Sequence, residues 1–228
     1  LLFVGRLDDH QKGIFRLPAI LKLCQQRQLP LRLTIIGDGP DRLQLQQLVF
    51  DMGVTALVEF CGAQDHRAVL QAMRTHHIFL MPSNFEGFPN VLLEAQANGC
   101  VPVTAHLPDI TDVIVQDGHT GIVVHPTDIV AYVDGIQRLL EPTCWQEYSR
   151  AGIHHATQHF SLHQVGEKYQ ALVEELLQNR YPLAIPRTSL RKERPVPYAW
   201  KDHLPQFTKN IWRTFLFMKR QMTMNQYQ

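Results

Sequence analysis

The sequence has no apolar run long enough to cross a bilayer, no excess of charge of either sign and no paired cysteines. Its longest apolar stretches, such as residues 78–82, break within a few positions, far short of the roughly 20 residues a spanning helix needs. Lys and Arg number 22 against 21 Asp and Glu, a net charge of +1, so nothing electrostatic points to a nucleic-acid partner. The four cysteines, Cys24, Cys61, Cys100 and Cys144, are widely and unevenly spaced with no Cys-x-x-Cys. Most sit in apolar surroundings, and they read as reduced core thiols of a cytosolic protein and not as a disulfide framework. A signal peptide is also missing: strand-like Leu1-Leu2-Phe3-Val4 begins at once, and the first residue is not Met. The chain is therefore expected to be a piece of something longer.

What is present is apolar content, 45% of 228 residues, enough for one domain of ordinary size plus an appendage. Twelve histidines invite a metal reading, above all His155, His159 and His163 at four-residue steps. Phe160-Ser161 falls between them, however, and Ser161 with Gln164 reads as a capping box that starts a new helix. The three then do not share a face, and no metal site is expected.

Strand-like runs at 1–4, 31–36, 58–61, 78–81, 101–104 and 121–124 alternate with helical patterns near 15–28, 42–51, 67–75, 90–98 and 129–140. Two further helices are predicted near 145–158 and 162–178. This alternation predicts an α/β fold: parallel βαβ units in a Rossmann-like doubly wound sheet over residues 1–178. Ligands of such sheets bind outside the carboxyl ends of the strands. From residue 179 to 228, Pro182, Pro186, Pro195 and Pro197 interrupt a segment rich in Arg and Lys. This irregular extension ends in a basic aromatic helix at 207–222, with Trp212, Phe215 and Phe217 among Lys209, Arg213, Lys219 and Arg220. Docking on a missing domain is favoured for it, with peripheral contact at a membrane surface as the alternative.

The most informative stretch is Glu86-Gly87-Phe88-Pro89-Asn90-Val91-Leu92-Leu93-Glu94, two carboxylates eight positions apart around a helix start at Asn90. Backbone amides crowding at Gly87 and Pro89 would meet a phosphate at the helix N-terminus. A carboxylate beside a phosphate is repelled, so each Glu is aimed at something neutral. Glu94, one turn into the helix, suits the two hydroxyls of a ribose, and Glu86 faces what lies beyond the phosphates. Alone, the two Glu would serve capping and the helix dipole. Arg6 and Lys12, on the loop after the first strand, change that balance. A planar fork of donors and a mobile ammonium at one strand end suit a pyrophosphate.

In order and spacing, Gly5-Arg6-Leu7 with Lys12-Gly13, Ile36-Gly37-Asp38-Gly39-Pro40, Phe60-Cys61-Gly62, Pro82-Ser83, the 86–95 stretch and Asn98-Gly99 resemble the C-terminal domain of retaining GT-B glycosyltransferases of family four. The resemblance spans residues 1–178, and the ordered set is more specific than any single motif. It implies the nucleotide-sugar-binding half of a two-domain enzyme whose N-terminal acceptor domain is absent here. Such an enzyme moves a sugar from a UDP- or GDP-sugar to an acceptor hydroxyl in glycan or polysaccharide synthesis, in the cytoplasm or at its membrane surface.

By the same resemblance, Arg6 and Lys12 hold the diphosphate as leaving group without a metal or other cofactor. Gly5 and Gly37 line the phosphate side, backbone amides around Phe88-Pro89-Asn90-Val91 meet the phosphates, Pro89 shaping the turn without an N–H of its own, and Cys61-Gly62 pack on the base. Glu94 grips the ribose. Glu86 contacts the donor sugar without acting as a covalent nucleophile, since the acceptor attacks from the face the leaving group departs. Where the family often has Gly-Gly-x-Pro-Glu, this chain has Pro108-Asp109-Ile110-Thr111-Asp112, with Asp112 in the acid's place. A non-catalytic nucleotide-sugar module and a GT-B nucleotide-sugar epimerase are the alternatives. A dinucleotide-dependent oxidoreductase is not supported, because no Gly-x-Gly-x-x-Gly follows the first strand.

Overall fold

Short runs of β-branched and aromatic residues bounded by glycine and proline become the strands, and the longer patterns between them become helices. In the computed structural model, residues 1–178 are described. Leu1–Thr157 forms one compact unit, and Gln158–Gln228 a second, of which 158–178 is described. The first unit runs β1 (Leu2–Val4), α1 (Asp9–Lys12), α2 (Arg16–Gln26), β2 (Leu33–Ile36), α3 (Arg42–Asp51), β3 (Val58–Gly62), α4 (His66–Thr75) and β4 (Ile78–Met81). It continues through α5 (Asn90–Ala97), β5 (Val101–Ala105), α6 (Thr111–Ile114), β6 (Ile122–Val124), α7 (Ile129–Leu139) and all but the last three residues of α8 (Pro142–Phe160), and α9 is Leu162–Leu177. The tail at 179–228, with its predicted helix at 207–222, lies outside the described residues.

All six strands are parallel, in the order β3-β2-β1-β4-β5-β6. The order reverses between β1 and β4, the place where a doubly wound sheet opens a crevice at its carboxyl edge. β4 and β5 are buried at every position, as expected of central strands covered on both faces. α2 packs between α3 and α7, and α4 packs on α5. The core joins Phe3, Ile35, Leu80 and Val103 of the sheet to Leu17, Ile20 and Leu21 of α2 and Tyr132, Val133 and Ile136 of α7. Burying each such side chain contributes about 1.5–3 kcal/mol. Among the described residues, no helix is long and apolar enough to cross a membrane.

Two elements depart from the sequence expectation. Asp8 to Gln11, read as a loop, belongs to a helical turn: the Asp8 carboxylate accepts from the Gln11 amide, and Gly13 ends the turn at φ 59°. α6 was also unforeseen, and it forms where the Thr111 hydroxyl donates to the Ala105 carbonyl and accepts from the Leu107 amide. α8 starts at Pro142, earlier than expected, because proline suits a first helical position. The Ser161 cap is as read, its hydroxyl accepting from the Gln164 amide. No three His, Cys, Asp or Glu among the described residues gather in a metal-holding group.

All four cysteines are free. Burial pushes the Cys24 thiol up to about 11 and that of Cys100 up to about 12, so both stay protonated near neutral pH. Cys61 and Cys144 are only half-buried, and Cys144 packs against the apolar core. α7 begins at an Asp128 carboxylate that accepts from the Ala131 amide at 2.9 Å. Asp128→Ala is expected to lower stability by about 1 kcal/mol. A urea midpoint that does not move would show that this cap is redundant.

Candidate functional site

The loops after β1, β2 and β3 interlock through their backbones. Gly5 N donates to Ile36 O at 3.0 Å, Leu7 N to Asp38 O at 2.9 Å and Gly37 N to Gly62 O at 2.8 Å. Gly37 has φ 146°, and a Cβ there would overlap the Gly5 carbonyl. Its smallness is thus required by the strand-end packing itself. Asp38 reinforces the turn: the Gly39 amide, and after it the Arg42 guanidinium, hold its carboxyl below the usual range.

Lys12, the last residue of α1, reaches across from the β1 loop to the loop that follows β4. Its Nζ lies 2.7 Å from Glu86 Oε1, with the two side chains 16% and 6% exposed. The Ser83 hydroxyl, on a fully buried residue, donates to the same oxygen at 2.7 Å, and Gln11 Nε2 approaches Oε2 at 3.4 Å. A carboxylate so nearly buried is tolerated because an ammonium and a hydroxyl answer it. One lone pair or more on Oε2 stays available to a further donor.

Arg6 lies on the same loop but is not drawn into that pair. Its side chain is 66% exposed and its Nε stands 4.0 Å from Asp8 Oδ2, a separation worth little in water. α5 begins after Pro89, which is its N-cap rather than its first helical residue, and no side chain caps it. Among the described residues, no carboxylate or hydroxyl answers its first amides; the Asn90 amide donates to Phe88 O at 3.0 Å and the Leu92 amide to Pro89 O at 2.9 Å. Phe88 and Val91 are half-buried, Pro89 is buried and Asn90 is exposed. Gly87 differs from expectation: a Cβ there would meet nothing within 4 Å, so crowding among protein amides does not account for it.

Glu94 faces the third strand's end instead of the Lys12 pair. Its Oε1 is 3.1 Å from His66 Nε2, at the first residue of α4, with side chains 34% and 69% exposed. His66 is held there by Asp65, whose carboxylate accepts from the Ala68 amide at 2.8 Å. Cys61 and Gly62 sit just before it, with Cys61 O accepting from Gln64 Nε2 and Gly62 at φ 67°. The structure thus joins Lys12 to Glu86 and Gly5 to Gly37 and Gly62, while Glu86 and Glu94 hold different partners.

Sequence reasoning missed Ser83 as a partner of Glu86, and it missed His66, Asn84 and Arg16 altogether. Asp65 ahead of an apolar helical pattern marks the start of α4 and so the place of His66 in its first turn. Nothing local aligns His66 with a carboxylate 28 positions later.

An all-parallel, doubly wound sheet whose polar groups collect at the carboxyl edge on both sides of the strand-order reversal defines a Rossmann-like domain of the GT-B kind. The chain belongs to the glycosyl transferases group 1 family, whose model matches residues 1–156. It is 29% identical over 161 residues to the glycogen synthase of Mycobacterium tuberculosis, covering 70% of this chain and 38% of that protein. Among solved structures it resembles sucrose-phosphate synthase from Thermosynechococcus elongatus, with a TM-score of 0.68 and 25% identity over 78% of this chain and 45% of that one. It also resembles Anabaena HepE in complex with UDP-glucose, with a TM-score of 0.68 and 21% identity over 76% and 48%. The chain therefore spans less than half the length of each of these three proteins.

Proposed function

We propose that this chain is the donor-binding domain of a retaining glycosyltransferase that uses a nucleotide sugar, with a UDP-sugar favoured over a GDP-sugar, to glycosylate an acceptor hydroxyl in glycan or polysaccharide synthesis. The observation that carries the reading is the Lys12–Glu86 pair, 2.7 Å apart at the strand-order reversal. A cation beside an accepting carboxylate supports a site at which the phosphate and sugar ends of one donor meet. HepE, of the same fold, binds UDP-glucose, which supports UDP as the first nucleotide to try.

In this reading the uncapped amides at the start of α5 and the little-committed guanidinium of Arg6 receive the diphosphate, with Lys12 beside them. These groups stabilise the charge that grows on the departing diphosphate, which is electrostatic catalysis without a metal or other cofactor. Gly5 and Gly37 let the loops approach closely, and Cys61-Gly62 flank the base. Glu86 offers Oε2 to a hydroxyl of the transferred sugar. Its other oxygen, already bonded by Lys12 and Ser83, makes it a poor nucleophile, in line with attack by the acceptor on the face the leaving group departs. The acceptor is supplied with a second domain of the parent enzyme, working in the cytoplasm or at a membrane surface.

Glu94 is assigned to the ribose hydroxyls. Glu94→Ala is expected to lower UDP affinity at least about tenfold, the loss of one charge-assisted contact, measured by titration calorimetry on the full chain. Unchanged affinity would remove Glu94 from the site. A preference for GDP over UDP would change the donor and leave the site in place.

A further inference from the structure

Asn84 is exposed, lies between Ser83 and Glu86 in sequence, and makes four hydrogen bonds that span the mouth of the crevice. Its amide donates to Gln11 O at 2.8 Å, and its side-chain NH2 donates to Asp9 O and His10 O at 3.0 Å each. Its Oδ1 accepts from Arg16 Nη2 at 2.6 Å, and the other arm of that guanidinium donates to Pro82 O at 2.7 Å. A four-residue helix leaves nearly all its carbonyls without intrahelical partners. One residue of the β4 loop donates to three carbonyls of α1, the helix whose last residue is Lys12: those of His10 and Gln11, and that of Asp9, which also accepts from the Gly13 amide. Gly13 completes the arrangement, since a Cβ there would collide with the Arg16 guanidinium and the Pro82 carbonyl.

We infer that Asn84, locked by Arg16, is a positioning residue that sets Lys12 against Glu86 and thereby aims the ammonium at the diphosphate of the donor. The inference rests on the function proposed above for its second half only. Asn84 touches neither Lys12 nor Glu86 through its side chain. It fixes the backbone from which Lys12 projects, and β1 and β4 offer little help, because they share the single register pair Leu2 with Phe79. Displacements of about 1 Å in such supports are enough to weaken a site built on charge and orientation.

The test compares the full chain with Asn84→Ala and Asn84→Asp. The Asp variant keeps the size and the acceptor for Arg16 but sets a carboxylate oxygen against the Asp9 and His10 carbonyls. The first readout is the Lys12 ammonium cross-peak in proton–nitrogen spectra, assigned by its loss in Lys12→Arg. The expected result is a peak visible in the parent chain and broadened away or shifted in both variants. The second readout is binding of UDP by calorimetry and of uridine by chemical-shift titration, with a fall of about fivefold to tenfold for UDP and none for uridine. An unchanged ammonium peak in either folded variant overturns the positioning role, as does an equal loss for UDP and uridine, which would mark general damage. If the parent chain binds no UDP while the ammonium peak still depends on Asn84, the positioning of Lys12 stands and the nucleotide reading falls.

Discussion

A Gly37→Ala chain is expected to lose roughly 2–6 kcal/mol of stability, from backbone strain and steric overlap of about 1–3 kcal/mol each. Gly37 holds φ 146°, which side-chain-bearing residues rarely adopt, and its missing Cβ leaves room for the Gly5 carbonyl. The obstacle is backbone, and it cannot rotate away. Moving it would break the bonds from Gly5 N to Ile36 O and from Gly37 N to Gly62 O. Two other glycines separate the causes. Gly53 has φ 66° with nothing within 4 Å, and Gly87 has neither a constrained φ nor a neighbour. Gly53→Ala should cost about 1 kcal/mol and Gly87→Ala within about 0.5. Urea unfolding followed by circular dichroism gives the order directly, and equal costs at Gly37 and Gly53 would show that the Gly5 contact is not what constrains the turn.

Replacing Lys12 with Met is expected to destabilise the chain by about 2–4 kcal/mol, because it leaves the 6%-exposed Glu86 carboxylate with only neutral donors. Most of that cost belongs to the stranded charge and not to the worth of the pair. The double variant Lys12→Met/Glu86→Gln should therefore recover more than half of it, since an amide is far cheaper to bury than an unpaired carboxylate. UDP binding separates stability from function: the double variant should be clearly more stable than Lys12→Met yet bind UDP at least about tenfold more weakly than the parent. A double variant as unstable as Lys12→Met would mean that lost packing of the lysine stem, not charge, dominates.

The fold was legible wherever one segment contained its own reasons. Arg42–Asp51 and Ile78–Met81 fall where the pattern puts them, because turn residues bound an apolar period on each side. α1 was not legible, since Asp9–Lys12 has no apolar period and owes its shape to Asp8, Gly13 and the reach of Asn84. The site follows the same division. Glu86, Glu94, Arg6 and Lys12 stand out as chemistry, but the partner of each was set by topology. Lys12 meets Glu86 across 74 positions, Glu94 meets His66 across 28, and Arg6 stays with its neighbour Asp8. Residues that act through backbone carbonyls, such as Arg16 on Pro82, leave no pattern in a sequence.

Four of the five strand junctions carry three or four register pairs, and the central one carries one. The sheet thus has a sparsely paired crease along its middle, bridged at the carboxyl edge by bonds between two loops, among them Lys12 to Glu86 and the backbone bond from Asn84 N to Gln11 O. A molecule that grips both loops spans that crease, so occupancy and cohesion of the two halves become one linked equilibrium. Whatever fits the crevice also acts as a suture for the sheet.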